Sequence, residues 1–170
     1  MLGFLFRTLT AEPGRGAALF AALTAEARKP HWYVEGAVPD TLDGRFIMLA
    51  TVIALVIVRL ERLGDEGNAA AVALTERFIE VMESEHREMG LGDPKLGRTV
   101  RKLVGSLARR VALWRSATAG ERDWNEAVRE SLYAGGAPAE TLKYSAASLR
   151  KLWTRLAAAE LGSLVEGRIE

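Results

Sequence analysis

The 170-residue chain contains no cysteine. Disulfides, thiolate metal sites and a cysteine nucleophile are thereby excluded, and the composition fits a reducing compartment. Histidine is scarce: His31 and His86 are the only two, so a stable haem site is not expected, and no other cofactor is called for. Net charge is nearly absent as well. Lys and Arg number 23 against 22 Asp and Glu, leaving +1, which by itself argues neither for nor against a nucleic-acid partner. No apolar run is long. Phe46 to Val58 is uncharged and flanked by Arg45 and Arg59, but a bilayer core needs about 20 apolar residues, and a shorter run reads as a buried helix. The N-terminus has no signal-peptide order, because its apolar residues precede its first basic one. Leu2, Phe4, Leu5, Phe6 and Leu9 either dock on the rest of the chain or touch a membrane interface. There is no internal repeat and no low-complexity tract.

What is present is helical. Ala, Leu, Arg and Glu dominate, and apolar residues recur at spacings of three and four, the helical signal. The length suits one domain. Such a domain buries about 70% of the surface its unfolded chain exposes. The fold class is therefore all-α, a single-domain bundle of about six helices. The spacing and breakers predict helices near 15–28, 41–63, 69–89, 94–116, 121–133 and 138–161. Residues 1–13 form an apolar N-terminal segment, 14–161 the helical domain, Gly64 to Asn68 a turn, and 162–170 a tail that frays.

The bundle is organised around 41–63. Leu42, Phe46, Leu49, Ile53, Val56, Leu60 and Leu63 form one stripe, and its other faces are apolar too. A helix apolar all round is buried all round. Asp40 or Thr41 caps it, with Asp43 in the first turn, where the helix dipole favours negative charge. Two other uses, membrane insertion and an exposed rim that binds an apolar partner, stand beside the core reading. The short run, the caps and the flanking arginines favour the centre of a bundle.

Enzymatic motifs are missing. Glu83-x-x-His86 has half the spacing of a di-iron carboxylate site, and no second copy exists. His86 is expected at the end of an apolar stripe, hydrogen-bonded or at an edge. Gly90 to Gly97 lacks the Lys and Ser/Thr of a phosphate loop and reads as a helix–helix turn. No Ser occupies a nucleophile elbow. An enzyme is not expected, and neither a metal nor a cofactor is predicted.

Charge is sorted along the chain. Asp65 to Glu88 holds seven acidic and two basic residues, or −5, whereas Pro94 to Ala117 holds seven basic and no acidic ones, or +7. Lys95, Arg98, Lys102 and Arg109 lie opposite Leu103 and Leu107 on a helix, with Arg101 at the edge. Either the two charged helices neutralise each other or face water, or the basic face meets an anionic surface: lipid head groups, ribosomal RNA or an acidic partner. Aromatics do not interleave with these cations, so sequence-specific nucleic-acid reading is not suggested.

Two strings carry a resemblance. Ala27-Arg28-Lys29-Pro30 and Trp32-Tyr33 lead into Val38-Pro39-Asp40-Thr41-Leu42-Asp43-Gly44-Arg45-Phe46, and Arg87-Glu88-Met89-Gly90-Leu91-Gly92-Asp93 precedes the basic helix. Together they resemble the ubiquinol–cytochrome c chaperone family, from about Ala17 to the last helix. The chain departs from the family pattern at Ile47, Val52 and His86, where an acid, a His and a Leu are usual. The resemblance implies an all-helical, non-enzymatic chaperone that binds newly made cytochrome b and aids assembly of the ubiquinol–cytochrome c reductase (bc1) complex. It would be cytoplasmic or peripheral at the inner membrane. Mitochondrial relatives work beside the ribosome with a small helical partner.

Two partner-binding regions are expected. One is the motif loop, Trp32, Tyr33, Val38, Pro39, Asp40, Gly44 and Arg45. There Trp32 and Tyr33 either anchor the loop or form an aromatic contact site, and Arg45 pairs with an acid of the third helix or with a client carboxylate. The other is the basic face, Lys95, Arg98, Arg101, Lys102 and Arg109. The alternative function is a peripheral-membrane or ribosome-binding adaptor that uses the basic face alone.

Overall fold

The computed structural model describes residues 14, 16–134 and 136–170. The apolar segment 1–13, with its expected docking or membrane contact, lies outside the described residues. Among the described residues seven α-helices follow one another: α1 (Ala17–Ala27), α2 (Leu42–Glu61), α3 (Gly64–Glu88), α4 (Asp93–Thr118), α5 (Trp124–Leu132), α6 (Ala139–Ala158) and α7 (Leu161–Val165). A 3-10 turn, Pro30–Trp32, sits between α1 and α2. There is no strand among the described residues.

The helix ends follow from local chemistry. The Thr41 hydroxyl accepts the Gly44 amide at 3.1 Å, and Asp43 lies in the first turn of α2. Asp123 caps α5 by accepting the amides of Asn125 and Glu126 at 2.8 and 3.1 Å. Gly90 ends α3 at φ +85°, a left-handed conformation that favours glycine. Its amide bonds to the Arg87 carbonyl, and the next amide, of Leu91, bonds to His86. That pair of bonds satisfies carbonyls the last turn would otherwise leave open. The first glycine of the second string is thus a helix stop.

Two expectations are corrected. The segment 64–68 is the first turn of α3 rather than a connecting turn, and the chain reverses at Arg62 and Leu63 instead. Asp65 and Glu66 suit that position, since carboxylates stabilise a helix N-terminus. The C-terminal stretch, expected as a loose tail, packs against the bundle. It forms α7, and Leu164 and Ile169 are buried in the core, where apolar burial holds the end of the chain against its entropy.

α2 is the centre. It packs against α1, α3, α4, α5 and α6, and every residue from Ala50 to Val58 is buried. Its few polar groups are partnered, as burial requires. Thr51 Oγ1 donates to the Ile47 carbonyl at 2.8 Å and meets Ser131 Oγ at 2.8 Å, and Trp114 Nε1 donates to that same Ser131 oxygen at 3.1 Å. Arg59, at the end of the uncharged run, donates from Nε and Nη2 to the carbonyls of Leu156 and Ala159 at 2.9 and 3.0 Å. It therefore caps the C-terminus of α6, where a cation also suits the dipole. No helix among the described residues is long and apolar enough to cross a membrane.

Candidate functional site

At the N-terminal end of α2 the bundle opens into a groove of about 470 Å³. Three helical stripes line it. α1 contributes Phe20, Thr24 and Ala27, and α2 contributes Leu42, Phe46 and Leu49. α3 contributes Val81, Met82, Glu85, His86 and Met89, and Leu103 of α4 joins them. Each stripe repeats at four and then three residues, so one face of each helix points inward. Phe46 is held by the ring of Phe78, 6.0 Å between centroids. The edges are apolar and open: Leu42 is 71% exposed and Met89 54%. Both lie in the two strings singled out from sequence, Leu42 in the first and Met89 in the second. The fold brings the strings together on one groove.

The motif loop divides into three kinds of residue. Trp32, Val38 and Gly44 are interior. Trp32 is an anchor: its Nε1 donates to the Glu26 carbonyl at 3.0 Å, and it presents no contact surface. Gly44 has no room for a side chain, since a Cβ there would lie 1.8 Å from the Pro39 carbonyl oxygen. Pro39 and Asp40 face solvent. Tyr33 and Arg45 reach the groove. The Tyr33 hydroxyl donates to the Ala27 carbonyl at 2.7 Å, and burial pushes its phenol above the usual value. Arg45 pairs with Asp40 of its own loop at 2.7 Å rather than with an acid of α3. That hydrogen bond holds the Asp40 carboxyl below the usual carboxylate range and raises the guanidinium.

His86 Nδ1 lies 2.7 Å from the Met82 carbonyl. A carbonyl only accepts, so Nδ1 carries the proton. Among the described residues, no group of three or more His, Cys, Asp or Glu is placed to hold a metal ion. Of the other departures from the family pattern, Val52 is fully buried and Ile47 packs partly buried against the core. Neither lines the groove.

On α4, Lys95, Arg98, Arg101, Lys102 and Arg109 are all exposed. Among the described residues none of them takes part in an ion pair, and no pair links the acids of α3 to the bases of α4. The helix's other two cations are used internally. Arg110 donates to the Ser106 and Ser131 carbonyls at 3.2 and 2.8 Å, and burial lowers its pKa. Arg115 grips Glu61 with contacts of 2.9 to 3.1 Å. The free five span about 21 Å of helix from Lys95 to Arg109, at 1.5 Å per residue.

Two groove residues stood out in neither string and in no apolar stripe: Thr24 of α1 and Glu85 of α3. Leu42 and the stripe Met82, His86, Met89 were visible as apolar periodicity, with nothing to say that one end stays open.

The ubiquinol-cytochrome C chaperone family model matches residues 35–170. That range takes in Val38 to Phe46 of the first string, the whole second string and α2 to α7, about four-fifths of the chain. No curated protein matches the chain. Among solved structures, the crystal structure of the Cbp3 homolog from Brucella abortus is similar, with a TM-score of 0.75 and 24% sequence identity. The alignment covers 98% of this chain and 94% of that one. At that identity the likeness concerns the fold alone.

Proposed function

The chain belongs to the ubiquinol-cytochrome C chaperone family, and we propose that it is a non-enzymatic chaperone that binds newly made cytochrome b and aids assembly of the bc1 complex. The observation that carries this reading is the groove whose apolar edges, Leu42 and Met89, are left in water. Client membrane segments are apolar and need shielding until they insert, and burial of apolar surface drives their binding. A groove between helices is also the usual seat for an apolar helix. Tagged chain should copurify cytochrome b from a host with a bc1 complex, and a Leu42→Asp/Met89→Asp variant should lose it while remaining folded. Normal bc1 assembly in a strain lacking the protein would sink the proposal.

A second reading, an adaptor for an anionic membrane or ribosome surface, rests on the five cations of α4 that have no acidic partner among the described residues. Each Lys or Arg close to an anionic membrane contributes roughly 1 kcal/mol of attraction. Reversal of Lys95, Arg98 and Lys102 to Glu distinguishes the two. An adaptor loses all function, whereas a client chaperone keeps cytochrome b binding and loses only its attachment to the surface.

A further inference from the structure

The size of the groove and the charge of its rim limit what part of a client it accepts, given the chaperone reading above. A membrane-spanning helix has about 20 residues and is about 30 Å long. The groove is lined on α1 and α2 by stripes that run only from i to i+7, about 10 Å of helix. It therefore seats roughly two turns.

The rim is not neutral. Asp43, Glu85 and Glu88 are exposed, and among the described residues none is in an ion pair. Of the two rim arginines, Arg45 is committed to Asp40, which leaves Arg28. Three acids against one base give the unpaired rim a charge of −2.

We propose that the groove takes the basic-flanked end of an apolar client helix, about two turns of it, with the flanking Lys or Arg side chains on Glu85 and Glu88. Lys and Arg gather at one end of membrane helices, in the flanking loops on the cytoplasmic side. Their long stems lie along apolar surface while the charge reaches outward, which fits a floor of Phe46 and Leu49 below a carboxylate edge. Met82 and Met89 adapt to differing apolar side chains. An acid-flanked end would meet like charge at the same edge.

Two fluorescent peptides of about 14 residues, near the minimum for a helix in water, test this. They share one amphipathic apolar face, and one is flanked by Lys, the other by Glu. The Lys peptide should bind the full chain roughly tenfold more tightly than the Glu peptide, since several exposed pairs each contribute up to about 1 kcal/mol. The preference should shrink with salt and reverse in a Glu85→Lys/Glu88→Lys variant. A Leu49→Trp variant, which fills the groove, should weaken both peptides, and a Lys peptide with a scrambled apolar pattern should not bind.

Equal binding of the two peptides, or a preference that survives the charge reversal, overturns the inference and leaves the chaperone reading standing. Undiminished binding to Leu49→Trp overturns it too, because the peptide then sits elsewhere. If neither peptide binds, and Leu42→Asp/Met89→Asp still copurifies cytochrome b, the groove is not the client site: the inference falls, and the chaperone reading stands on another surface.

Discussion

From Val52 to Val56, α2 has no solvent exposure at all, whereas Leu42, only ten residues earlier on the same helix, is 71% exposed. The difference lies in the neighbours. The later half is closed by named contacts: Thr51 to Ser131 of α5, Arg59 to the end of α6, and Glu61 to Arg115 of α4. The first two turns are bordered by α1 and α3, which part around the groove. An apolar stripe therefore reports which face avoids water, and its cover can come from the fold or from another molecule. Where the fold supplies it, the side chains maintain stability. Where it does not, they are available for binding.

Truncation on either side of that boundary should separate the two roles, and the core side gives the largest effect. Leu55→Ala removes a fully buried side chain and should cost about 3 kcal/mol, within the usual 2–5 for such cavities. Leu42→Ser and Met89→Ser should each change stability by about 0.5 kcal/mol or less, as exposed substitutions do, while weakening peptide binding. Chemical denaturation of the three variants measures this. A Leu42→Ser loss comparable to that of Leu55→Ala would show that the groove edge is structural and erase the distinction.

A smaller effect is expected at the joint between the two halves and the motif loop. Gly44 lies against the Pro39 carbonyl, and the added methyl of Gly44→Ala must push that carbonyl away. The Thr41 cap and the Asp40–Arg45 pair are built on the same turn. Overpacking of this kind costs about 1–3 kcal/mol. Denaturation should find that loss, and the variant should also bind peptide less well, because Leu42 and Phe46 sit on the displaced turn. Unchanged stability with unchanged binding would mean that the loop yields freely, and that the glycine in the string has no steric cause.

Much of this was readable from the residues. The span of α2, the Thr41 cap with Asp43, the Gly90 stop and the basic stripe of α4 all follow from local rules of periodicity and capping. The groove does not, because Leu42, Phe46 and Leu49 continue the same stripe as Ile53, Val56 and Leu60. Only the paths of α1 and α3 leave the first three uncovered. Trp32 shows the converse. In a loop of mixed polarity it passes for a contact residue, yet a single indole bond to Glu26 is enough to make it an interior anchor. Leu164 and Ile169 escaped for the same reason: two apolar residues among Gly and Glu form no pattern until a neighbouring helix receives them.

The smallest expected effect concerns the outer side of the motif loop, away from the groove. His31 stacks on Trp32 with 4.2 Å between ring centroids, and its Nδ1 lies 3.2 Å from the Tyr144 hydroxyl. Partial burial lowers its pKa from the usual 6.5. Glu26 and Glu35 oppose that shift, while Lys29 and Arg155 reinforce it. The unfolded chain therefore takes up the proton first. The contribution of neutral His31 is fully present above about pH 6.5 and declines as pH falls below it. A His31→Gln variant should flatten the pH dependence of unfolding between about pH 6.5 and 5, above the range where most carboxylates titrate. Replacement of His31 should leave peptide binding unchanged across that window, because His31 does not line the groove. A binding curve that follows the same titration, and flattens in His31→Gln, would show that the Trp32 anchor transmits to the groove edge. The open and closed halves of α2 would then be one coupled unit.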